Sequence, residues 1–137
     1  MKIKNKNYST LWIANSKIKI IDQTKLPFKL IIKELKNIDD FCRAITQMEV
    51  RGAPLIGVTA AFGLALALRK DASSKNIDKT INALLATRPT AVNLRWALSY
   101  IFQRIKNKRI QDRAKLSFEL AKQIRQEDII NCFKIGL

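Results

Sequence analysis

The sequence predicts an α+β fold: a small N-terminal antiparallel sheet of three strands, followed by a bundle of about five helices. Residues 10–35 hold short β-prone runs separated by turn residues. From Asn37 onward the apolar residues recur at the three- and four-residue spacing of helices. Between the charges Arg51 and Arg69 lie seventeen uncharged residues, 52–68, long enough for a buried helix against which the others pack. The expected organisation is one domain over 1–137, with a β part at 1–36 and a helical part at 37–137.

Two strands are expected at 10–14 and 17–21, joined by Asn15-Ser16 as a two-residue hairpin turn. Ile18 and Ile20 alternate with Lys17 and Lys19, the period of a half-buried strand. Residues 22–27, Asp-Gln-Thr-Lys-Leu-Pro, form a turn closed by proline, and a third strand is expected at 28–35. Such a sheet needs helices to cover its apolar face. Asn37 is the expected N-cap of a helix whose inner face carries Ile38, Phe41, Cys42, Ile45 and Met48. Pro54 opens the next helix. In it Gly57, Ala61 and Ala65 lie four apart, as do Gly63 and Ala67, a small-residue face that lets a neighbour pack closely. After a loop at 71–76, a helix is expected at 77–86. Thr90 is the expected cap of a helix buried through Leu94, Ala97, Leu98, Ile101 and Ile105. A last helix at 110–131 would bury Ala114, Phe118, Ala121 and Ile124.

At 137 residues, 47% hydrophobic and 27% charged, the chain is globular. Its 26 basic and 11 acidic residues give a formal charge of +15, enough to hold polyanions non-specifically at low salt. The lysines are scattered, however, and the few aromatics are not interleaved with them, which argues against a nucleic-acid groove. The most basic stretch, 104–125, reads as a solvated face. Histidine is absent, which removes the commonest general base and metal ligand; no metal is expected. Cys42 and Cys132 lie far apart without a CxxC partner and read as reduced, buried cytosolic thiols, with a disulfide as the alternative. The basic start at 1–6 is not followed by an apolar core, so no signal peptide is expected. The apolar run 52–68 falls short of the ~20 residues of a membrane span and carries Pro54, Thr59, two further glycines and five alanines. The expected location is cytoplasmic, with no membrane partner.

The residues that carry chemistry are Arg51-Gly52-Ala53-Pro54. An arginine and a glycine turn are delivered there onto a helix N-terminus, whose free N–H groups and partial positive charge suit a phosphate. Arg51 adds a planar, permanently charged fork. Arg88-Pro89-Thr90 repeats the arrangement, and two such junctions can converge on one phosphorylated ligand. An ordinary junction between a loop and a buried helix uses the same residues, so the motifs alone leave both readings open. The carboxylates offer no acid–base pair, since Asp39-Asp40 and Glu127-Asp128 are adjacent and cannot share a helical face.

Several segments carry a resemblance: Leu11-Trp12, Asp22-Gln23-Thr24-Lys25-Leu26-Pro27, residues 48–57 with Ala60-Ala61-Phe62-Gly63, and residues 87–97, Thr-Arg-Pro-Thr-Ala-Val-Asn-Leu-Arg-Trp-Ala. In order and spacing the chain resembles the N-terminal part of the methylthioribose-1-phosphate isomerase family. The wider superfamily includes ribose-1,5-bisphosphate isomerases and regulatory subunits of a translation-initiation exchange factor. The resemblance implies an aldose–ketose isomerase of methionine salvage, with a phosphorylated sugar as substrate and no cofactor. It places substrate contacts at Arg51, Gly52, Ala53 and Arg88. It also implies that the family's catalytic cysteine and aspartate belong to a C-terminal Rossmann-like domain absent from these 137 residues. Neither Cys42 nor Cys132 matches that cysteine, so no catalytic residue is assigned. The expectation is half an enzyme, inactive alone, whose partner is a second copy or a separately encoded C-terminal half.

Overall fold

The computed structural model describes residues 2–3, 6–7, 11–25, 28–50 and 52–136, with side chains over 11–25, 28–50 and 52–127. Strands β1 (Lys2–Ile3) and β2 (Lys6–Asn7) form an antiparallel ribbon. Strands β3 (Leu11–Ala14), β4 (Lys17–Ile21) and β5 (Ile32–Leu35) form the expected antiparallel sheet in the order β3-β4-β5. Asn15 and Ser16 take positive φ values of 52° and 63°, the two-residue hairpin geometry that matches strand twist. Ile18 and Ile20 are fully buried while Lys17 is exposed, as the alternation requires.

The third strand starts at Ile32, later than the expected 28. A short 3-10 turn, Gln23–Lys25, is followed by a bond from the Lys29 N–H to the Lys25 carbonyl at 2.9 Å. The Asp22 N–H donates to the Ile31 carbonyl at 2.8 Å, so pairing begins only after the turn is closed. Phe28 is left almost fully exposed.

Five helices follow: α1 (Ile38–Thr46), α2 (Ala53–Lys70), α3 (Ser74–Thr87), α4 (Val92–Ile105) and α5 (Ile110–Gly136). Asn37 caps α1 as expected, its Oδ1 accepting the Asp40 N–H at 3.0 Å. Phe41 and Ile45 are buried, but Met48 is not on the inner face: α1 ends at Thr46 and a φ of 60° turns Met48 outward. Cys42 is half-buried rather than buried. Helix α3 begins three residues earlier than 77 because Ser73 caps it, Oγ accepting the Asn76 N–H at 3.2 Å. Thr90 does not cap α4. The Ala91 N–H bonds to the Arg88 carbonyl at 3.0 Å, closing a turn that moves the N-cap to Ala91.

Helix α2 is the central element and packs on α1, α3, α4 and α5. By length and composition alone it would cross a membrane, yet most of it is buried inside the protein. Its small residues explain the close packing. A Cβ on Gly57 would lie 2.9 Å from the Asn93 carbonyl oxygen in α4, and one on Gly63 would lie 3.1 Å from Cγ of the Phe41 ring in α1. One core joins sheet and helices, with Leu11, Ile20 and Leu35 packed in the same cluster as Phe41, Phe62 and Leu98.

Helix α5 extends beyond 131, to Gly136. It buries Ala121 and Ile124 as expected, whereas Ala114 and Phe118 are half-buried and Arg113 and Ser117 are buried. The Arg113 guanidinium is consumed by four acceptors: the Lys108 and Ala72 carbonyls at 3.0 Å, Ser74 Oγ at 3.1 Å and the Lys106 carbonyl at 3.2 Å. It ties the α4–α5 loop to the α2–α3 loop. Much of the basic stretch 104–125 is engaged in this way. Arg109 pairs with Asp112 and Lys122 with Glu119, both at 2.9 Å, and Arg104 lies over the Tyr100 ring.

Candidate functional site

Gly52 is the N-cap of α2, with φ 94° and ψ 132°, backbone angles that disfavour any residue with a side chain. Space is open in front of it: a Cβ there would meet nothing within 4 Å. Gly52, Ala53 and Pro54 are exposed, and no side chain caps the helix. The Ile56 N–H bonds back to the Gly52 carbonyl at 3.0 Å, which starts the helical ladder. The N–H groups before it have no intrahelical acceptor, and Pro54 has no N–H to satisfy. An eighteen-residue helix thus presents its positive end to solvent.

Arg88 is the C-cap of α3 and is half-buried. Among the described residues its side chain has no hydrogen bond or ion pair. The contact between Gly57 and Asn93 sets the start of α4, five residues beyond Arg88, against α2. Gly57 is about 7.5 Å along the helix axis from Gly52. Gly52 and Ala53 are therefore at one helix end, and the junction carrying Arg88 leads into a helix packed close to that end. Arg51 lies outside the described residues.

A charge cluster joins Asp22 of the 22–27 turn, Lys33 of β5, Arg43 of α1 and Glu49. Lys33 Nζ is 3.0 Å from both Asp22 Oδ2 and Glu49 Oε2, and Arg43 Nε is 3.4 Å from the same Glu49 oxygen. Asp22 and Glu49 are buried. Burial alone would raise the Asp22 carboxyl; bonds from the Thr24 hydroxyl and N–H, together with Lys33, outweigh it and hold the group below its usual value. Lys33 is raised by its bonds to Glu49 and then Asp22, against the opposing effect of burial. Asp-x-Thr at 22–24 was a readable signal for a side-chain-closed turn. Lys33 and Glu49, sixteen residues apart, have no local pattern to betray their pairing.

The Cys42 Sγ lies 3.8 Å from the Ala83 carbonyl. Burial, aided by the Asp39 charge, pushes the thiol up, so it stays protonated and unreactive. The Cys132 side chain lies outside the described residues. Among the described residues no group of three potential ligands is placed to hold a metal.

The fold and site define a class. The model of the Initiation factor 2 subunit family matches residues 49–137, and the chain belongs to that family. Within it, the chain is 47% identical over 138 residues to the methylthioribose-1-phosphate isomerase of Methylorubrum populi, covering 99% of this chain and 38% of that protein. It is 43% identical over 139 residues to the enzyme of the same name from Escherichia coli O45:K1, covering 100% and 38%. Among solved structures it superposes with a TM-score of 0.79 and 31% identity on the translation initiation factor eIF-2B, subunit delta, from A. fulgidus, covering 88% of this chain and 37% of that one. The 5-methylthioribose 1-phosphate isomerase from Pyrococcus horikoshii OT3 follows with a TM-score of 0.77 and 32% identity, covering 86% and 36%. The resemblance read from the motifs thus holds along nearly the whole chain. The chain spans about 38% of the length of the curated relatives it matches.

Proposed function

We propose that this chain is the N-terminal, phosphosugar-binding part of an S-methyl-5-thioribose-1-phosphate isomerase acting in methionine salvage in the cytoplasm. The observation that carries the reading is the uncapped, exposed N-terminus of α2 at Gly52, with open space before it. The similarity to relatives of that name supplies the substrate. The isomerisation moves a hydrogen between adjacent carbons and needs a tuned acid–base group near them. It also needs the sugar held in place through its phosphate. The chain supplies the second requirement through Arg51, the Gly52-Ala53 turn and Arg88. Among the described residues it offers no such group for the first, because the Cys42 thiol is pushed up and stays protonated and the buried carboxylates are paired.

Calorimetric titration with S-methyl-5-thioribose 1-phosphate tests this reading. The phosphorylated sugar binds, the unphosphorylated sugar does not, and Arg51→Ala or Arg88→Ala each weakens binding about tenfold or more. Equal binding of both sugars, or of neither, refutes the reading. A coupled assay on the chain alone shows no turnover.

A second reading is favoured by one observation. Val92 is 75% and Trp96 50% exposed, and Trp96 stacks on Tyr100 with ring centroids 4.9 Å apart. This apolar strip on α4 suits an interaction module that pairs with a second copy or with a separate C-terminal half. Native mass measurement distinguishes the two assemblies.

A further inference from the structure

We infer that Lys33, by bridging Asp22 and Glu49, is a positioning residue that holds the turn around Gly52 ready for an anion; the inference rests on the phosphosugar reading of that turn. Glu49 stands three residues before Gly52. Its backbone is pinned twice: the N–H donates to the Ala44 carbonyl and the carbonyl accepts from the Gln23 N–H, both at 2.9 Å. The Val50 N–H also reaches the Ala44 carbonyl, at 3.3 Å, and its side chain is fully buried. Met48 and Gly52 both take positive φ, backbone angles that regular structure does not stabilise. The tether at Glu49 holds the segment: the backbone bonds fix the main chain, and the cation on β5 holds the buried side chain.

The charges explain why a lysine is needed. Asp22 is 1% and Glu49 3% exposed, and two carboxylates sharing one buried site repel each other unless a cation stands between them. Lys33 reaches both at the same 3.0 Å. Glu49 Oε1 is buried without a hydrogen-bond partner, so neutralisation falls on Lys33 and Arg43 at Oε2. With Lys33 present two cations, Lys33 and Arg43, stand among three carboxylates, Asp22, Glu49 and Asp40, the last 3.4 Å from Arg43 Nη1. Without it Arg43 alone faces all three, and the excess negative charge lies next to the segment that leads to Gly52, which is to receive an anion.

The test compares Lys33→Met and Lys33→Arg with the wild-type chain, using inorganic phosphate as the probe in an NMR titration and hydrogen exchange read by mass spectrometry. Lys33→Met weakens phosphate about tenfold or more. It also speeds exchange over 44–57 while the rest of the chain keeps its wild-type rate; Lys33→Arg keeps both properties near wild type. If Lys33→Met does not fold, Glu49→Gln breaks the same bridge without adding negative charge, and exchange over 44–57 is the readout: faster exchange there supports the tether, and wild-type exchange overturns it. Wild-type affinity in a folded Lys33→Met variant, or exchange raised evenly along the chain, overturns the inference. If the wild-type chain itself binds no phosphate, the functional reading falls, and exchange over 44–57 still decides whether Lys33 holds the turn.

Discussion

The two ends of α2 are treated in opposite ways. At the C-terminal end the chain's own residues supply hydrogen-bond partners. The Asp71 N–H bonds to the Ala67 carbonyl at 3.2 Å, Asn76 Nδ2 donates to the Asp71 carbonyl at 2.7 Å, and Arg113 takes the Ala72 carbonyl. At the N-terminal end the cap is a glycine without a side chain, and the first turn is exposed. One end is closed by the chain's own residues, and the other is left for an outside acceptor. Helix ends of one element, equal in their backbone needs, thus separate structural work from binding work.

Four measurements break or sharpen that contrast. The largest effect is expected at the closed end. Arg113→Met keeps the aliphatic stem but orphans three carbonyls and a hydroxyl, and costs about 3 kcal/mol or more in urea unfolding. A cost near zero would mean the closed end is not held by that side chain. At the open end Gly52→Ala meets no steric obstacle, so its cost is that of the backbone angles alone, about 1–3 kcal/mol, accompanied by weaker phosphate binding. Unchanged stability and affinity would remove the open end's special status. Ser73→Ala removes the cap of α3 beside the closed end and costs about 1 kcal/mol in thermal unfolding, without changing phosphate affinity.

The smallest effect is a pH dependence. The Asp22 carboxyl is lowered in the folded state, so its contribution is present above the ordinary value of ~3.9 and is lost as pH falls through the lowered value. Lys33 is raised, so its contribution is present below the ordinary ~10.4 and is lost as pH rises through the raised value. Denaturation midpoints across pH should show both limbs, and Asp22→Asn should flatten the acid one.

The sequence made some of this contrast readable and hid the rest. Period-two alternation at Ile18 and Ile20, the Asn15-Ser16 turn, the Asn37 cap and the small face of α2 are local patterns, and local patterns survive into the fold. Gly52 before Pro54 announced the open end in the same way. The closed end was not legible. Arg113 sits on an apolar face and reads as a surface charge until the fold brings the Ala72 carbonyl, 41 residues away, beside those of the adjoining α4–α5 loop. Lys33 and Glu49 likewise meet only once β5 and α1 are packed. Thr90 has the right chemistry for a cap, but a turn closed one residue later decides where α4 begins. Tertiary partners, absent from any short window, set these outcomes.

Trp96, half-exposed and stacked on Tyr100, lies in α4 downstream of the Arg88 junction. The chain has only two tryptophans, Trp12 in β3 and Trp96. Replacing Trp12 with phenylalanine would leave a single indole, so that light emission near 88–96 becomes an optical gauge of any molecule arriving at that corner, with no label attached.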